Sequence, residues 1–482
     1  ITLGTVYATP HGSNMASVPF TPTGFASIYI MELRPLTTNI FTSININGMH
    51  IAHASLFAIL FFSSSISFIV SILGRTIRVS HLLLFICGIV LLSKGVRFSN
   101  EFILLNVPLI TFCLPVISIN VMQDKIKTTV FAIIVVILAI IPLVNIHDSF
   151  GKPPKYPFSY KFLPHGIARF LRHIDVGGSV LNHPNYGGYL QWELYPNYKI
   201  FMDMEVPFLF TNEDYFMVNN ALTNSGFFKN FTDKYNPSFI SVPIANAVFK
   251  DMIKAFPAYK MVFFDDAEVL YVNQKKLPDI EKQYAVKSID PFLLKYKGID
   301  MYPKKDFPFL LEELLKIAQI NPDSIITNQN IASIYNSREM YEKAIPYAEN
   351  IIKNYPEFFM GYKLMGDAYK GLKMYDKAIA NYKISLKKAD IAEVRKEMGL
   401  IYFQQKQFRL AYDTLIKSVN VFSQFTSYKD LYYVCLSAYL SGRYRDASIL
   451  MKYALQSVPE TDAEWHKKYL ELLIMMNLKI EN

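Results

Sequence analysis

Cysteine is scarce in this chain, with three residues among 482. Cys87 and Cys113 lie in apolar runs, and Cys435 stands alone. Thiols placed in this way give neither a disulfide framework nor the paired spacing of a zinc site. They predict small buried side chains and no cofactor of their own.

A dense run of basic residues is also missing. The formal net charge of +9 is spread along the chain, whereas a nucleic-acid partner needs clustered Lys and Arg. We therefore expect no nucleic-acid partner.

Charge of either sign is sparse in residues 1–146, which hold seven Lys or Arg and three Asp or Glu. Four apolar runs in and around residues 50–146 are predicted as transmembrane helices because each is long enough to cross, or nearly cross, a bilayer. They are residues 50–73, 79–93, 101–121 and 128–146. The Lys and Arg residues of the short loops favour an orientation in which the chain beyond residue 147 is periplasmic or extracellular. Membrane lipid is then an expected partner.

Residues 1–49 are rich in proline and are interpreted as an exoplasmic loop with short helices. Because the chain starts with Ile and shows no signal-peptide pattern, an upstream part is expected. Four residues are candidate polar site residues at the outer membrane face: His11, Glu32, Arg34 and Arg97.

A linker rich in proline and aromatic residues at 147–163 leads to a predicted small α/β domain at 164–300. Short strand-like runs bounded by turn residues alternate there with helical patterns. The predicted strands are 178–183, 199–203, 238–242, 260–264 and 268–273. This alternation favours a mostly parallel sheet with an antiparallel edge at its end.

The stretch NYGGYLQWELYP, residues 185–196, connects the first two predicted strands. Two interpretations stay open: the glycine pair forms a structural turn, with Tyr189, Leu190 and Trp192 in the core, or it lets backbone approach a ligand. Parallel strands would bring polar residues to one sheet edge, where ligands bind. The candidate ligand contacts are Asn182, His183, Tyr186, Gly187, Gly188, Asp203 and Glu205.

Residues 170–203 resemble the exoplasmic segment of a group of bacterial polytopic membrane proteins similar to type C glycosyltransferases. The shared pattern is an Asn, then Gly-Gly-Tyr-Leu, a Trp and a Pro, followed by a strand that ends in Asp. Residues 9–12, 32–35 and 94–108 resemble further elements of that group. The resemblance implies a multi-pass protein of the bacterial inner membrane that transfers sugars from polyprenyl-phosphate carriers at the exoplasmic face, with the requirement for a divalent metal unknown.

The chain departs from that pattern at the end of the second strand. Asp203 is followed by Met204 and Glu205, where the group usually has Gly and Arg. The resemblance places the catalytic carboxylate in a first exoplasmic loop that has no counterpart in this chain. Catalytic residues therefore remain unknown, and an upstream half or a larger membrane complex is an expected partner.

Residues 301–482 repeat with a period near 34 residues. Ala344, Ala378, Ala411 and Ala447 follow one another at spacings of 34, 33 and 36, and each has an aromatic residue three places earlier. The pattern resembles the tetratricopeptide repeat, an all-α solenoid that binds a protein or peptide segment or serves as a rigid spacer. Candidate partner-binding residues are Tyr362, Tyr369 and Lys370.

Three hypotheses for function follow. The first is a membrane glycosyltransferase-like protein whose repeats bind a partner. The second is a non-catalytic, membrane-anchored repeat scaffold or assembly subunit. The third, an oligosaccharide ligase or polymerase, is the weakest because such proteins need an Arg- and His-rich exoplasmic loop between spans.

Overall fold

The computed structural model describes residues 49–75, 77–94, 98–113, 163–203, 211–419, 427–459 and 461–481. The chain divides into two compact units. Unit 1 comprises residues 1–163, 181–191 and 200–236, and unit 2 comprises residues 164–180, 192–199 and 237–482. Several predictions lie outside the described residues: the span 128–146, all of the 1–49 loop except residue 49, and all of the 147–163 linker except residue 163. The five predicted domain boundaries stay predictions.

Unit 1 begins with three helices that start close to the predicted apolar runs. These are α1 (Met49–Leu73), α2 (Val79–Lys94) and α3 (Ser99–Cys113). Leu92 and Phe102 form the centre of their packing, and the rings of Phe68 and Phe85 stack with centroids 4.0 Å apart. The helical character of the first three apolar runs is therefore confirmed.

This three-helix group buries several polar side chains and exposes several large apolar ones. Polar side chains are buried within it, namely Ser64, Ser67, Ser71, His81 and Asn106. Large apolar side chains face outward, including Phe62, Ile66, Ile69, Leu83 and Leu104. Each of the three helices therefore exposes large apolar side chains.

The predicted multi-pass location in a bacterial inner membrane is corrected. Among the described residues, no helix combines the length and the apolar character that a membrane crossing requires. α2 and α3 have 16 and 15 residues, below the roughly 20 that span a bilayer. The described side chains of α1 include five serines between residues 63 and 71.

The α/β region follows in sequence with short elements. Its helices are α4 (His165–Ile174), α5 (Pro184–Leu194), α6 (Asn212–Ala221), α7 (Ser225–Tyr235), α8 (Ala247–Met252), α9 (Pro278–Tyr284) and α10 (Pro291–Lys297). Its strands are β1 (Gly178–Leu181), β2 (Tyr198–Ile200), β3 (Phe239–Pro243), β4 (Tyr259–Phe264) and β5 (Glu268–Asn273).

The five strands form one sheet in the order β2-β1-β3-β5-β4. β5 pairs antiparallel with both β3 and β4. The antiparallel pairing of β4 with β5 agrees with the predicted antiparallel edge, but β3 is also antiparallel to β5, so the sheet is mixed rather than mostly parallel. Val269 and Leu270 of β5 and Phe264 of β4 are fully buried, which is why these strands were the easiest to predict.

The C-terminal part of unit 2 is a stack of helices. A leading helix, α11 (Phe307–Ile320), precedes four helix pairs and a last helix. The pairs are α12 (Ile325–Ser337) with α13 (Tyr341–Asn354), α14 (Phe359–Gly371) with α15 (Tyr375–Lys388), α16 (Ala392–Gln404) with α17 (Phe408–Leu415), and α18 (Tyr428–Leu440) with α19 (Tyr444–Gln456). The last helix is α20 (Ala463–Glu481).

Small residues let the paired helices approach. The four alanines that define the period are completely buried. A Cβ added at Gly366 would lie 2.5 Å from the ring of Tyr382, and one added at Gly399 would lie 2.6 Å from Leu415. The repeat prediction is thus confirmed at the level of packing, because the same position is small in each pair.

One hairpin turn joins the sheet to the helix stack. Between β4 and β5, the Asp265 carboxylate accepts hydrogen bonds from the backbone N–H groups of Ile167, Ala267 and Glu268 at 2.8–2.9 Å. The Asp266 carboxylate accepts from the N–H groups of Ile325 and Ile326 at 2.9 and 2.8 Å and from the hydroxyl of Ser324 at 3.0 Å. The two aspartates therefore satisfy the first turns of α4 and α12, whose N–H groups have no partner within their own helices.

Replacing the Asp266 carboxylate should destabilise the protein. We expect Asp266→Ala to lower the free energy of unfolding by about 1–3 kcal/mol, because three donors at the start of α12 lose their acceptor. Asp251→Ala is the control, since Asp251 pairs with Lys254 on the surface and its replacement should change stability by less than about 0.5 kcal/mol. Denaturant titration followed by circular dichroism measures both, and equal effects would contradict the proposed role of Asp266.

Stability should also fall as the pH rises. Burial raises the pKa of Glu268 to about 8 and that of Asp265 to about 7. Glu268 accepts a hydrogen bond from Ser241, while its other carboxylate oxygen has no hydrogen-bond partner among the described residues. Both groups keep their protons in the folded state above the pH at which the unfolded chain releases them, so stability is lost between about pH 4 and pH 8.

The matched variant is Glu268→Gln, which keeps the size of the side chain and removes its ionisation. We expect the wild-type protein to lose roughly 2–4 kcal/mol between pH 5 and pH 8 and the variant to lose distinctly less. Thermal unfolding across this range measures the difference. Identical pH profiles for the two proteins would show that Glu268 does not titrate in that window.

Candidate functional site

Three partly exposed positions recur in the first helix of each pair, and we call this set the first-helix stripe. The repeat register relates residues 329, 333 and 336 of α12 to 363, 367 and 370 of α14, to 396, 400 and 403 of α16, and to 432, 436 and 439 of α18. All twelve side chains are partly exposed. Because these positions are partly exposed in all four repeats, we infer that they face the same side of the stack.

The chemistry of the stripe changes along the array. The first repeat supplies Gln329, Ser333 and Asn336, which are polar and uncharged. The second supplies Lys363, Asp367 and Lys370. The last two repeats supply Lys396 and then five apolar or aromatic side chains: Leu400, Phe403, Tyr432, Leu436 and Tyr439.

Ion pairs between neighbouring first helices neutralise the lysines of the stripe. Lys363 contacts Glu393 at 3.2 Å, Lys396 contacts Asp430 at 3.2 Å, and Lys370 pairs with Glu397. Each pair bridges one repeat to the next. The lysines of the stripe are therefore paired with acidic residues of the next repeat, so the stripe is not a surface of uniformly positive charge.

Lys363 lies at the centre of a partly buried polar network. Its ammonium group contacts Asp367 at 3.0 Å, and the Tyr382 hydroxyl donates to the other oxygen of Asp367 at 2.7 Å. Burial alone would lower the pKa of Lys363, but the carboxylates of Asp367 and Glu393 raise it above its ordinary value. Burial, and then Asp367, raise the pKa of Tyr382, so Lys363 stays charged and Tyr382 stays neutral.

Aromatic side chains support the C-terminal end of the stripe. The rings of Phe403 and Tyr433 meet edge to face with centroids 5.5 Å apart. Tyr432 contacts Trp465 and Tyr469 in the same manner at 5.4 and 5.3 Å. Their orientations are fixed by packing, so their exposed parts form a pre-organised apolar surface.

The three predicted partner-binding residues have different surroundings in the structure. Lys370 belongs to the stripe, where it pairs with Glu397. The repeat positions of Tyr369 include Tyr402 and Ala438, which are buried, and Tyr369 itself packs against the core clusters. Tyr362 is partly buried and corresponds to the buried Asn328 and Leu431. Sequence reasoning missed most of the stripe, although the repeat register could have found it.

Asn182, a candidate ligand contact in unit 1, has a structural role. Its side-chain amide donates to the carbonyl groups of His183 and Met202 at 3.0 and 2.7 Å. Its oxygen accepts from the N–H groups of Phe201 and Met202 at 3.1 and 3.3 Å. These four bonds use the donors and acceptors of the amide, so Asn182 connects its own strand end to the chain after β2, and a ligand contact at Asn182 stays a prediction.

The glycine pair lies in a helix, not in the predicted turn, because α5 runs from Pro184 to Leu194. A Cβ added at Gly187 would come within 2.0 Å of the Met202 carbonyl oxygen, whereas one at Gly188 would have nothing within 4 Å. Gly187 is thus required by the close approach of α5 to the chain after β2.

The other candidate ligand contacts are partly exposed. Nδ1 of His183 accepts from the N–H of Asn185 at 3.2 Å, and burial lowers the pKa of His183. The ring of Tyr186 lies 6.2 Å from that of His183, and Asp203 is partly exposed. Glu205 and the candidates His11, Glu32, Arg34 and Arg97 lie outside the described residues. A ligand at this edge stays a prediction.

The expected core stretch after the glycines is corrected in one place. Tyr189 and Leu190 are buried, but Trp192 is 76% exposed.

In the part of the chain that the structure describes, no group of three or more His, Cys, Asp or Glu side chains is arranged to hold a metal ion.

Two curated proteins are similar to parts of this chain. One is small glutamine-rich tetratricopeptide repeat-containing protein 2 of Saccharomyces cerevisiae, 27% identical over 119 residues that cover 25% of this chain and 33% of the yeast protein. The other is the Hsp70-Hsp90 organising protein of Plasmodium falciparum, 35% identical over 99 residues that cover 19% of this chain and 18% of that protein. The chain thus spans a third or less of these relatives.

Solved structures with similar helices include MamA, 18% identical with a TM-score of 0.29 over 34% of this chain and 87% of that one. YrrB, described as a TPR protein with an unusual peptide-binding site, is 17% identical with a TM-score of 0.30 over 35% of this chain and 91% of that one. No family model matches the chain. Because these scores are low, the assignment rests on the chain's own repeats and on its curated relatives: helices α12 to α19 form a tetratricopeptide-repeat array.

The glycosyltransferase interpretation gains no support. Neither curated relative is named as a glycosyltransferase, and the motif that suggested the resemblance is used for packing at Asn182 and Gly187.

The two glycines of α5 make a matched test. We expect Gly187→Ala to destabilise the protein by about 1–3 kcal/mol or more, because the methyl group collides with the Met202 carbonyl. Gly188→Ala should stabilise it by about 0.5–1 kcal/mol, since alanine is the better helix former and meets open space. Thermal unfolding measures both. Equal effects would show that the two glycines have the same role, as a ligand-binding loop would require.

Proposed function

We propose that the protein is a non-catalytic scaffold whose repeat array binds an extended segment of another protein along the first-helix stripe. The observation that carries this proposal is the recurrence of three partly exposed positions in all four repeats. Stacked repeats present such positions along one extended binding surface. The repeat proteins to which the chain is similar, one of them named as an organiser of Hsp70 and Hsp90, agree with a scaffold role.

The C-terminal half of the stripe is the expected site of the strongest binding. Leu400, Phe403, Tyr432, Leu436 and Tyr439 are partly exposed and held by packing. Rigid aromatic side chains lose little conformational entropy on binding and dominate the energetics of protein interfaces. The partner segment should therefore carry apolar or aromatic side chains opposite the last two repeats.

The N-terminal half is expected to fix the position of the segment. Gln329, Ser333 and Asn336 offer hydrogen-bond donors and acceptors to an extended backbone. The lysines of the second repeat are already paired, so a strongly acidic segment gains little there. Tyr362 and Tyr369 are expected to support the array, with Lys370 at the edge of the contact.

A photo-crosslinking amino acid in place of Leu436 tests this proposal in cells that make the protein. We expect a crosslinked protein partner from this position, which lies on the stripe. The matched control is the same replacement of Ile449, which is 57% exposed on the second helix of the same repeat and should give no such product. Equal products from both positions, or none from Leu436, would contradict the proposal.

Alanine substitution then measures the contribution of the aromatic residues. We expect Tyr432→Ala or Phe403→Ala to weaken binding of the identified partner by about tenfold or more, as for a buried aromatic residue at an interface centre. Tyr453→Ala on α19, away from the stripe, should leave the affinity unchanged. Titration calorimetry with the purified full chain gives these values.

A further inference from the structure

A cavity of about 600 Å³ lies between three helices of unit 2. Helix α4 lines it with Arg169 and His173, and α11 lines it with Lys316 and Gln319. Residues three or four places apart lie on the same side of a helix, so each helix contributes one wall. Sites for small molecules have volumes of roughly 300–1,000 Å³, so this cavity is large enough for a small organic molecule.

Apolar and aromatic side chains complete the lining. Ile320 comes from the end of α11 and Tyr284 from the end of α9. The Tyr284 ring meets the buried ring of Phe170 edge to face, with centroids 5.1 Å apart, and the His173 ring lies 6.3 Å from it. Because Tyr284 is held by this packing, it provides a fixed apolar surface for part of a ligand.

The polar part of the lining is rich in donors and in positive charge. Its ionisable basic groups are Arg169, His173 and Lys316, and two carboxamides come from Gln283 and Gln319. Among the described residues that line the cavity, none is Asp or Glu. Guanidinium and ammonium groups next to amide donors are the groups with which proteins bind phosphate and carboxylate.

Arg169 keeps part of its guanidinium group available to a ligand. Its Nη1 donates to Oδ1 of Asn321 at 3.4 Å and to the Asp323 carboxylate at 3.2 Å. Both contacts use the same nitrogen, and no described residue accepts a hydrogen bond from Nε or Nη2. The loop after α11 therefore positions the side chain, while the remaining N–H groups are free to bind an anion.

The ammonium group of Lys316 is paired only at the protein surface. It contacts Glu312 of the preceding turn at 2.8 Å, and the two side chains are 60% and 66% exposed. Ion pairs with this exposure contribute little to stability. An anion in the cavity can consequently replace Glu312 as the partner of Lys316.

We propose that this cavity binds a small organic phosphate. The phosphate group contacts Arg169, His173 and Lys316, and the organic part lies against Tyr284 and Ile320. A phosphate offers more acceptor oxygens than a carboxylate and carries more charge, which suits donors from three side chains. The proposal goes beyond the scaffold function, since the first-helix stripe lies on other helices.

Calorimetric titration of the purified full chain tests this site with phenyl phosphate as the probe. Inorganic phosphate and benzoate are the comparison ligands, all in chloride buffer at constant ionic strength. We expect one saturable site, with phenyl phosphate bound several-fold more tightly than either comparison ligand, because only it has both the phosphate and the ring. Absence of saturable binding below about 10 mM, or benzoate binding at least as tightly, would overturn the proposal.

Substitutions in the lining locate the binding. We expect Lys316→Gln and His173→Gln each to weaken phenyl phosphate binding by about tenfold, the effect of losing one hydrogen bond to a charged group. Arg169→Lys keeps the charge but loses the planar fork and should also weaken binding. Because His173 and Lys316 are exposed, their replacement should leave the fold intact, which circular dichroism checks.

The matched control is Lys282→Gln. Lys282 is exposed on α9 but does not line the cavity, so its replacement should leave the affinity unchanged. An equal loss in this control would show that the net charge of the protein attracts the probe, and would overturn the assignment. Unchanged affinity in all three lining variants would overturn it as well.

Discussion

The two carboxylates of the β4–β5 turn are the constraint on which unit 2 depends. Asp265 binds the first turn of α4 and its own turn, and Asp266 binds the first turn of α12. A helix start that is buried without an acceptor leaves several N–H groups unsatisfied. Adjacent residues on one rigid hairpin meet this need for two helices at once. The first repeat is consequently fixed to the sheet, and the later repeats follow by stacking on it.

The same turn explains why the sheet edge keeps protonated acids in its interior. Asp265 directly follows the end of β4, and Glu268 is the first residue of β5. Both residues are buried. Asp265 is compensated by three N–H donors, while Glu268 has only the Ser241 hydroxyl among the described residues. A neutral carboxylic acid tolerates such a site better than an ion. The arrangement that joins sheet and array therefore also makes the junction sensitive to pH.

Regular elements with a strong local pattern could be predicted from the sequence. Strand β5 lies at its predicted bounds, 268–273, because its short apolar run is bounded by turn residues. The repeat array followed from Ala378 and its equivalents. Contacts distant in sequence could not be predicted: Asp265 and Ile167 are 98 residues apart. The helix through Gly187 and Gly188 was missed because local glycine content argues against a helix, while packing against Met202 selects glycine there.

The ion pairs of the first-helix stripe have a mechanical consequence. Lys363 with Glu393, Lys370 with Glu397, and Lys396 with Asp430 each tie one repeat to the next on the same side of the stack. Separating neighbouring repeats on this side of the stack must lengthen these three ion pairs. Dissolved salt, which screens such partly exposed pairs, should therefore make the repeats easier to separate on this side.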